Sequence, residues 1–370
     1  MTVSLVGGRR RFPMDRDRGF WGGKQVCVTG GTGLLGYQVV RCLLDAGADV
    51  RVMALQPRGP HPVERDSRVR LIWGDVRDPF LVRHAVSGCD VIFHLAGVVA
   101  VWGPALRRMR DVHALGTKNV LELAPAAARV VATSSVVTVG ATDGPELLDE
   151  ESPFTLERLK IDYVHAKRAA EGVALGKAAE GRDVVVTNPG YLVGPEDFER
   201  SVMGRFCIRY WRGMLPVSPP GGLNLVDVRD VARGHLLAAE HGRRGRRYIL
   251  GGENRTFTEF MAALAEVVGF RPRATPVLPY WGISALAGCS EFRSWVTRRH
   301  PYPSLQHARL NRYFWFYRSD RAREELGYAS RPLNESLADT LDWYSARKTL
   351  KPRGPGRWWM RPEPRTDRAA

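Results

Sequence analysis

Cysteine is scarce in this sequence. Cys27, Cys42, Cys89, Cys207 and Cys289 are scattered, with no CxxC pair and no histidine at ligand spacing. That pattern argues against a zinc site or a disulfide framework, so the thiols are expected to be reduced core residues of a cytoplasmic protein. Long apolar runs are also missing. The best candidate, Pro279 to Gly288, is broken by Pro and Gly, whereas a membrane helix needs about 18 apolar residues. No apolar stretch follows the arginines near the amino terminus, which argues against a secretory signal. No repeat of solenoid period is present. Acidic residues are outnumbered, giving a net charge of +16, but the surplus is unevenly placed. Residues 1–24 hold six Lys/Arg against two Asp, and residues 347–370 hold eight against one Glu and one Asp. The 322 residues between carry only +6. The charge therefore reads as two disordered basic ends, 1–23 and 347–370, and nucleic acid is not the expected partner.

What remains is an ordinary globular composition, 44% hydrophobic and 25% charged. From Gln25 short β-branched runs alternate with amphipathic helical stretches, which predicts an α/β fold. Strands are expected at Val26–Thr29, Val50–Ala54, Arg70–Trp73, Val91–His94, Val130–Thr133 and Val184–Asn188. The architecture implied is a Rossmann-like, doubly wound parallel sheet over 24–190. A smaller C-terminal substrate-binding region over 191–346 follows, with segments returning to the first domain.

The segment Thr29-Gly30-Gly31-Thr32-Gly33-Leu34-Leu35-Gly36 lies between the first strand and the first helix. Gly30, Gly33 and Gly36 permit a tight turn and a close approach of pyrophosphate to the backbone. The amides that open the helix at Thr32, Gly33, Leu34 and Leu35 offer donors and a partial positive charge. An NAD-selective site usually ends its second strand on an acid, but Val50-Arg51-Val52-Met53-Ala54-Leu55 carries none. Arg58 follows and suits a 2′-phosphate, so NADP(H) is favoured over NAD(H). Asp75 and Val76, after the third strand, are placed for adenine. Leu95, Ala96 and Gly97 after the fourth, and Pro189 and Gly190 after the sixth, leave room for the cofactor.

Tyr163 and Lys167 stand at i and i+4, on one face of a helix. Reducing a carbonyl needs a proton donor beside the developing alkoxide, and a nearby ammonium, with the positive charge of the oxidised nicotinamide, lowers a phenol from its ordinary value near 10. The same lysine is placed to hold the ribose hydroxyls. Thr133-Ser134-Ser135 ends the fifth strand, 28 residues upstream. Ser135 is read as the hydroxyl that orients the tyrosine and the substrate oxygen, with Ser134 as its nearest alternative, and Thr133 lies beside the cofactor.

TGGTGLLG, GDV, HLAG, TSS, YVHAK and NPGYLVGP occur in the order seen in the extended short-chain dehydrogenase/reductase superfamily. The chain resembles that family, also called NAD-dependent epimerase/dehydratases, from about Lys24 to about Tyr344. Its nearest branches are dihydroflavonol-reductase-like, 3β-hydroxysteroid-dehydrogenase-like and hopanoid-associated epimerase-like. The resemblance implies a Ser135/Tyr163/Lys167 triad and a bound nicotinamide cofactor. Two departures stand out. His113 occupies a position where family members often have Asn, and TSS lacks both acids of the Thr-Asp-Glu typical of sugar dehydratases, which disfavours dehydration.

Two functions share this machinery. One is a redox enzyme acting on a carbonyl or secondary alcohol of a ring-bearing substrate; the other is a nucleotide-sugar epimerase with tightly held NAD. Trp211, Tyr280, Trp281, Trp295, Tyr302, Tyr313, Phe314, Trp315 and Phe316 suit the first as apolar walls. Arg205, Arg209 and Arg212 suit a diphosphate and keep the second open. A remote third reading is a non-catalytic cofactor sensor or nucleic-acid binder using the basic ends. The expected partner is a small-molecule substrate, with a homodimer as the assembly to test and no transmembrane segment.

Overall fold

A computed structural model describes residues 19–350, apart from 58, 101, 102, 104, 273, 274, 299 and 348, together with 360–362. Arg58 and most of both basic ends therefore lie outside the described residues. The first half of the chain runs β1 (Gln25–Thr29), α1 (Leu34–Asp45), β2 (Asp49–Ala54), β3 (Val69–Trp73), α2 (Pro79–Val86) and β4 (Val91–His94). It continues through α3 (Ala105–Asp111), a π-helical turn (Val112–Gly116), α4 (Thr117–Leu123), β5 (Arg129–Thr133), α5 (Asp162–Ala179) and β6 (Val184–Pro189). All six expected strands are present, within one residue at each end.

The second half runs β7 (Tyr191–Val193), α6 (Val202–Trp211), β8 (Gly222–Asp227), α7 (Val228–His241), β9 (Arg247–Leu250) and β10 (Glu253–Thr256). Then come α8 (Phe257–Glu266), β11 (Phe270–Pro272), α9 (Tyr280–Thr297), α10 (Leu305–Leu310), β12 (Phe314–Trp315), α11 (Asp320–Leu326), α12 (Leu333–Ala346) and β13 (Met360–Pro362).

The main sheet has seven parallel strands in the order β3-β2-β1-β4-β5-β6-β9. Its strands are near-continuous apolar runs because helices cover both faces. Val26 and Val28 pack with Val39 of α1 and Val231 of α7 on one side. Cys27 and Ile92 pack with Val82, Val120 and Ala174 on the other. The chain leaves β1 toward β2 and β3, then returns to β4 on the opposite side, so a crevice opens between β1 and β4 at their carboxyl ends. A smaller mixed sheet forms around β8, with β10 antiparallel on one side and β7 and β12 parallel to it. Its core includes Phe206, Phe260, Trp315 and Tyr344. β11 pairs antiparallel with β13.

Three expectations change. Cys289 is exposed on α9, not a core residue, although Cys27, Cys89 and Cys207 are buried. Trp21 is buried against Phe93, and its indole N–H donates to Glu240, so the packed body already includes residue 21. The nine aromatics do not form one wall. Trp211, Trp315 and Phe316 are core, whereas Trp281 and Trp295 face solvent. The alternation of apolar residues cannot distinguish these cases, because both sides of α9 are apolar.

Candidate active site

The glycine turn connects β1 to α1 at the crevice. Gly30 has a φ of +75°, and a Cβ there would lie 2.8 Å from the backbone of Ala96. A Cβ on Gly36 would lie 2.2 Å from the Gly30 carbonyl oxygen. These two glycines are therefore demanded by packing. Gly33 differs: its Cβ would meet nothing nearer than 3.3 Å. As the N-cap of α1 it supplies no side-chain cap, and the first turn holds no acid. The opening amides of a 12-residue helix are thus left for an external acceptor. Such free amides suit an anionic group of the pyrophosphate kind. Leu35's side chain is buried in the core, and Thr32 lies half-buried within the turn.

Other expected cofactor residues divide into two groups. Leu95, Ala96 and Gly97 follow β4; Leu95 and Ala96 lie against the turn, with Ala96 N donating to Thr29 Oγ1 at 3.2 Å, and Gly97 lies against the His113 ring. Thr133 ends β5; Pro189 ends β6, and Gly190 N donates to Leu250 O at 3.1 Å. Asp75 is further committed than its sequence position suggested. Arg77 clamps both of its carboxylate oxygens, at 3.0 and 2.7 Å, and holds its pKa low. Val76 is buried beneath Gly116 of the π-turn, and its carbonyl accepts from Asn119 at 3.0 Å.

Tyr163 and Lys167 lie in the first turns of α5, where the helix meets the ends of β5 and β6. Ser135 caps a 3-10 turn over Val136–Thr138, its Oγ accepting from Val137 N at 3.4 Å, and its side chain lies close enough to the Tyr163 phenol to favour the ionised form. Ser134 turns away, buried against Thr138 at 3.3 Å. Lys167 Nζ donates to Thr133 O at 3.0 Å. Burial pushes the Tyr163 phenol up to about 12, and the Ser135 side chain only partly opposes it. The sequence expectation of a lowered phenol includes the positive charge of the oxidised nicotinamide, and the chain's own groups do not lower it by themselves. The cost of burying a phenolate outweighs the help available from the chain's own groups. Burial lowers Lys167 to about 8, against support from Glu171.

A family model described as the NAD dependent epimerase/dehydratase family matches residues 26–251. The chain belongs to this family. It is 33% identical over 330 residues to a Synechocystis sp. protein assigned only provisionally as a dihydroflavonol 4-reductase, covering 88% of this chain and 95% of that one. It is also 33% identical to sterol demethylase protein B of Methylococcus capsulatus, covering 86% and 98%. The solved structure of gox2253 superposes with a TM-score of 0.77 at 29% identity, covering 89% of this chain and all of that one. This protein is therefore an enzyme of the extended short-chain dehydrogenase/reductase class, and NAD(P) is the cofactor expected for its family.

Around the triad, this family member carries supports that sequence reading missed. Glu171 continues the Tyr163–Lys167 face by one more turn. Its carboxylate accepts from Thr138 Oγ1 and Asn188 Nδ2, both at 2.7 Å, and from Arg247 Nη1 at 3.1 Å. Asn188 Nδ2 also donates to Ser135 O at 3.1 Å. The loop carrying Ser135 is thus tied to α5 and β6. His235 of α7 sits below, its Nε2 within 2.9 Å of both Thr133 Oγ1 and Thr187 Oγ1. His94 links Thr29 and Thr117 at 2.8 and 3.1 Å. His113 Nε2 donates to Val98 O at 2.9 Å, and its ring lies 6.2 Å from that of Tyr163. Burial, reinforced by Lys167, lowers His94 and His113 to about 3; burial lowers His235 to about 4. The three imidazoles are therefore neutral at neutral pH, and the positive charges around Glu171 are those of Lys167 and Arg247. Glu171 had a sequence signal, its i+4 spacing from Lys167. His235 had none, because it reaches the site from 100 residues downstream of Ser135.

Proposed function

We propose that this enzyme is an NAD(P)-dependent oxidoreductase that interconverts a ketone and a secondary alcohol on a ring-bearing, largely apolar substrate. The observation that carries this reading is the placement of Tyr163 beside Ser135 and one helical turn from Lys167, its phenol kept protonated by burial. When bound, the nicotinamide supplies the hydride for the carbonyl carbon. Tyr163 gives its proton to the carbonyl oxygen, so the product is the neutral alcohol; oxidation runs the same transfer in reverse. Ser135 donates a hydrogen bond to that oxygen and strengthens it as charge develops. Lys167 holds the ribose hydroxyls and stabilises the phenolate left behind.

Gly30, Gly33, Leu34, Leu35 and Gly36 would hold the pyrophosphate. Leu95, Ala96, Gly97, Thr133, Pro189 and Gly190 would line the remainder of the cofactor. NADP(H) is the preferred form, because β2 ends without an acid and Arg58 follows. The names of the two curated relatives, a dihydroflavonol reductase and a sterol demethylase component, support a fused-ring substrate.

The test is NADPH oxidation against a panel of alicyclic and aryl ketones, comparing wild type with Tyr163→Phe. Turnover in the variant should fall by about 10²- to 10⁴-fold, while NADPH affinity stays within a few-fold of wild type. An equal loss of cofactor binding would remove the proton-donor role.

Epimerisation is the second reading, and one observation favours it. Arg205 and Arg209 stand one turn apart on α6; Arg205 donates to Arg200 O, and Arg209 covers the Tyr302 ring at 3.6 Å. Such a pair suits a diphosphate. A dinucleotide that co-purifies stoichiometrically and does not exchange would favour epimerisation, and a freely exchanging one the reductase.

A further inference from the structure

Helix α9 presents an apolar surface on both sides. Inward, Ile283 and Ala287 pack on Ala308 of α10, with Leu278 and Leu305 closing around them. At 3.6 residues per turn, Trp281, Ala285, Cys289, Phe292, Trp295 and Val296 form a stripe on the opposite side. That stripe carries no charge. Trp281 is 75% exposed, Phe292 69%, Trp295 78% and Val296 63%. Leaving such side chains in water costs about 25 cal/mol per Å² of apolar area, so a contiguous patch of this kind points to a docking face.

The charges near the helix favour one occupant. Glu291, its sole acid, is turned inward to accept from Leu305 N at 2.8 Å. Arg293 and Arg298 are exposed beside and beyond the stripe. At the amino-terminal end, next to Tyr280, lies a pocket of about 210 Å³ lined by Arg158, Lys160, Arg309 and Arg312. One carboxylate, Asp143, pairs with Arg312, at 3.2 Å. A second copy docking on this face would set the cationic pocket, Arg293 and Arg298 against their own counterparts. An anionic lipid surface complements both parts: aromatic side chains enter the boundary between headgroups and acyl chains, and cations meet phosphates.

We propose that α9 seats this protein on anionic phospholipid membranes, its outer stripe entering the interface and the cationic pocket beside Tyr280 receiving headgroup phosphate. The helix lies on the membrane and does not cross it; no helix among the described residues is long and apolar enough to span. Among the pocket residues, Lys160 lies three residues and Arg158 five before Tyr163, which places the membrane-facing end of the molecule beside the candidate active site. The proposal does not depend on which carbonyl the enzyme reduces.

The full chain should pellet with vesicles of equal parts phosphatidylglycerol and phosphatidylcholine, and more weakly with phosphatidylcholine alone. The triple variant Trp281→Ser, Phe292→Ser, Trp295→Ser keeps both basic ends and should lose about tenfold or more in vesicle partitioning. Its circular dichroism should match wild type, because the removed side chains are mostly exposed. As a check that needs no variant, brominated acyl chains should quench tryptophan fluorescence of the wild-type protein. The proposal is overturned by wild type remaining in the supernatant, by equal pelleting of the variant, by equal binding to neutral vesicles, or by absent quenching. A wild-type dimer that the variant dissociates, without vesicle binding, would assign the face to a second copy instead.

Discussion

Burial and the Ser135 side chain act in opposite directions on the Tyr163 phenol, and burial dominates, leaving it at about 12 and protonated at neutral pH. Lys167 is affected in the complementary way, lowered by burial and supported by Glu171 to about 8. The free enzyme should therefore lose kcat/KM as pH rises through about 8, where the ammonium deprotonates. Glu171→Gln removes the group that raises this lysine, so its pKa falls further and the alkaline limb moves to lower pH. A pH profile of the variant superimposing on wild type would show that Lys167 does not set that limb. Sequence reading names Ser135, with Ser134 as the nearest alternative; in the structure Ser135 lies on the side of the phenol, while Ser134 turns toward Thr138. Sequence reading also found the face of α5 that carries Tyr163 and Lys167, because a helical period is a local property. It missed that Glu171 joins that face to Asn188 and Arg247, since those partners come from distant strands.

At the scale of elements, the glycine turn and the π-turn shape the crevice. Gly30→Ala places a Cβ against the Ala96 backbone, where no flexible side chain can yield, at a positive φ. It should destabilise the protein by at least about 1 kcal/mol and weaken dinucleotide affinity, as read by thermal melting and by fluorescence titration. An unchanged melting temperature with intact NADPH binding would mean the turn relaxes freely. The π-turn at Val112–Gly116 holds His113, the residue that departs from the family pattern, and its imidazole fixes Val98 behind β4. The departure therefore retains a hydrogen-bonding side chain beside Tyr163. Most of the six strands were legible because they are compact β-branched runs covered on both faces; β3, at the sheet edge, is only half-buried. The small sheet around β8 was not, because β7 and β12 are three- and two-residue strands whose pairing depends on distant contacts.

Across the whole molecule, folding places His94, His113, His235 and His307 where burial lowers their pKa values to about 3, 3, 4 and 4. Unfolded histidines titrate near 6.5. Below that value the unfolded state binds more protons than the folded state, so stability is full above pH 6.5 and falls as pH drops toward 4. Melting temperature should decline steeply across that window, and His235→Gln should flatten the slope. A melting temperature independent of pH between 7 and 4.5 would contradict these burials. The sequence alone determined the order of the phosphate-binding turn, the β5 hydroxyl and the tyrosine–lysine pair, because each is written in consecutive or helically spaced residues. It likewise determined that most of the positive charge belongs to the chain ends. The tertiary structure decided which aromatics are core and which lie bare on α9, and that Arg247 and His235 brace the site. Those outcomes depend on contacts between residues far apart in the chain, and no local period encodes them.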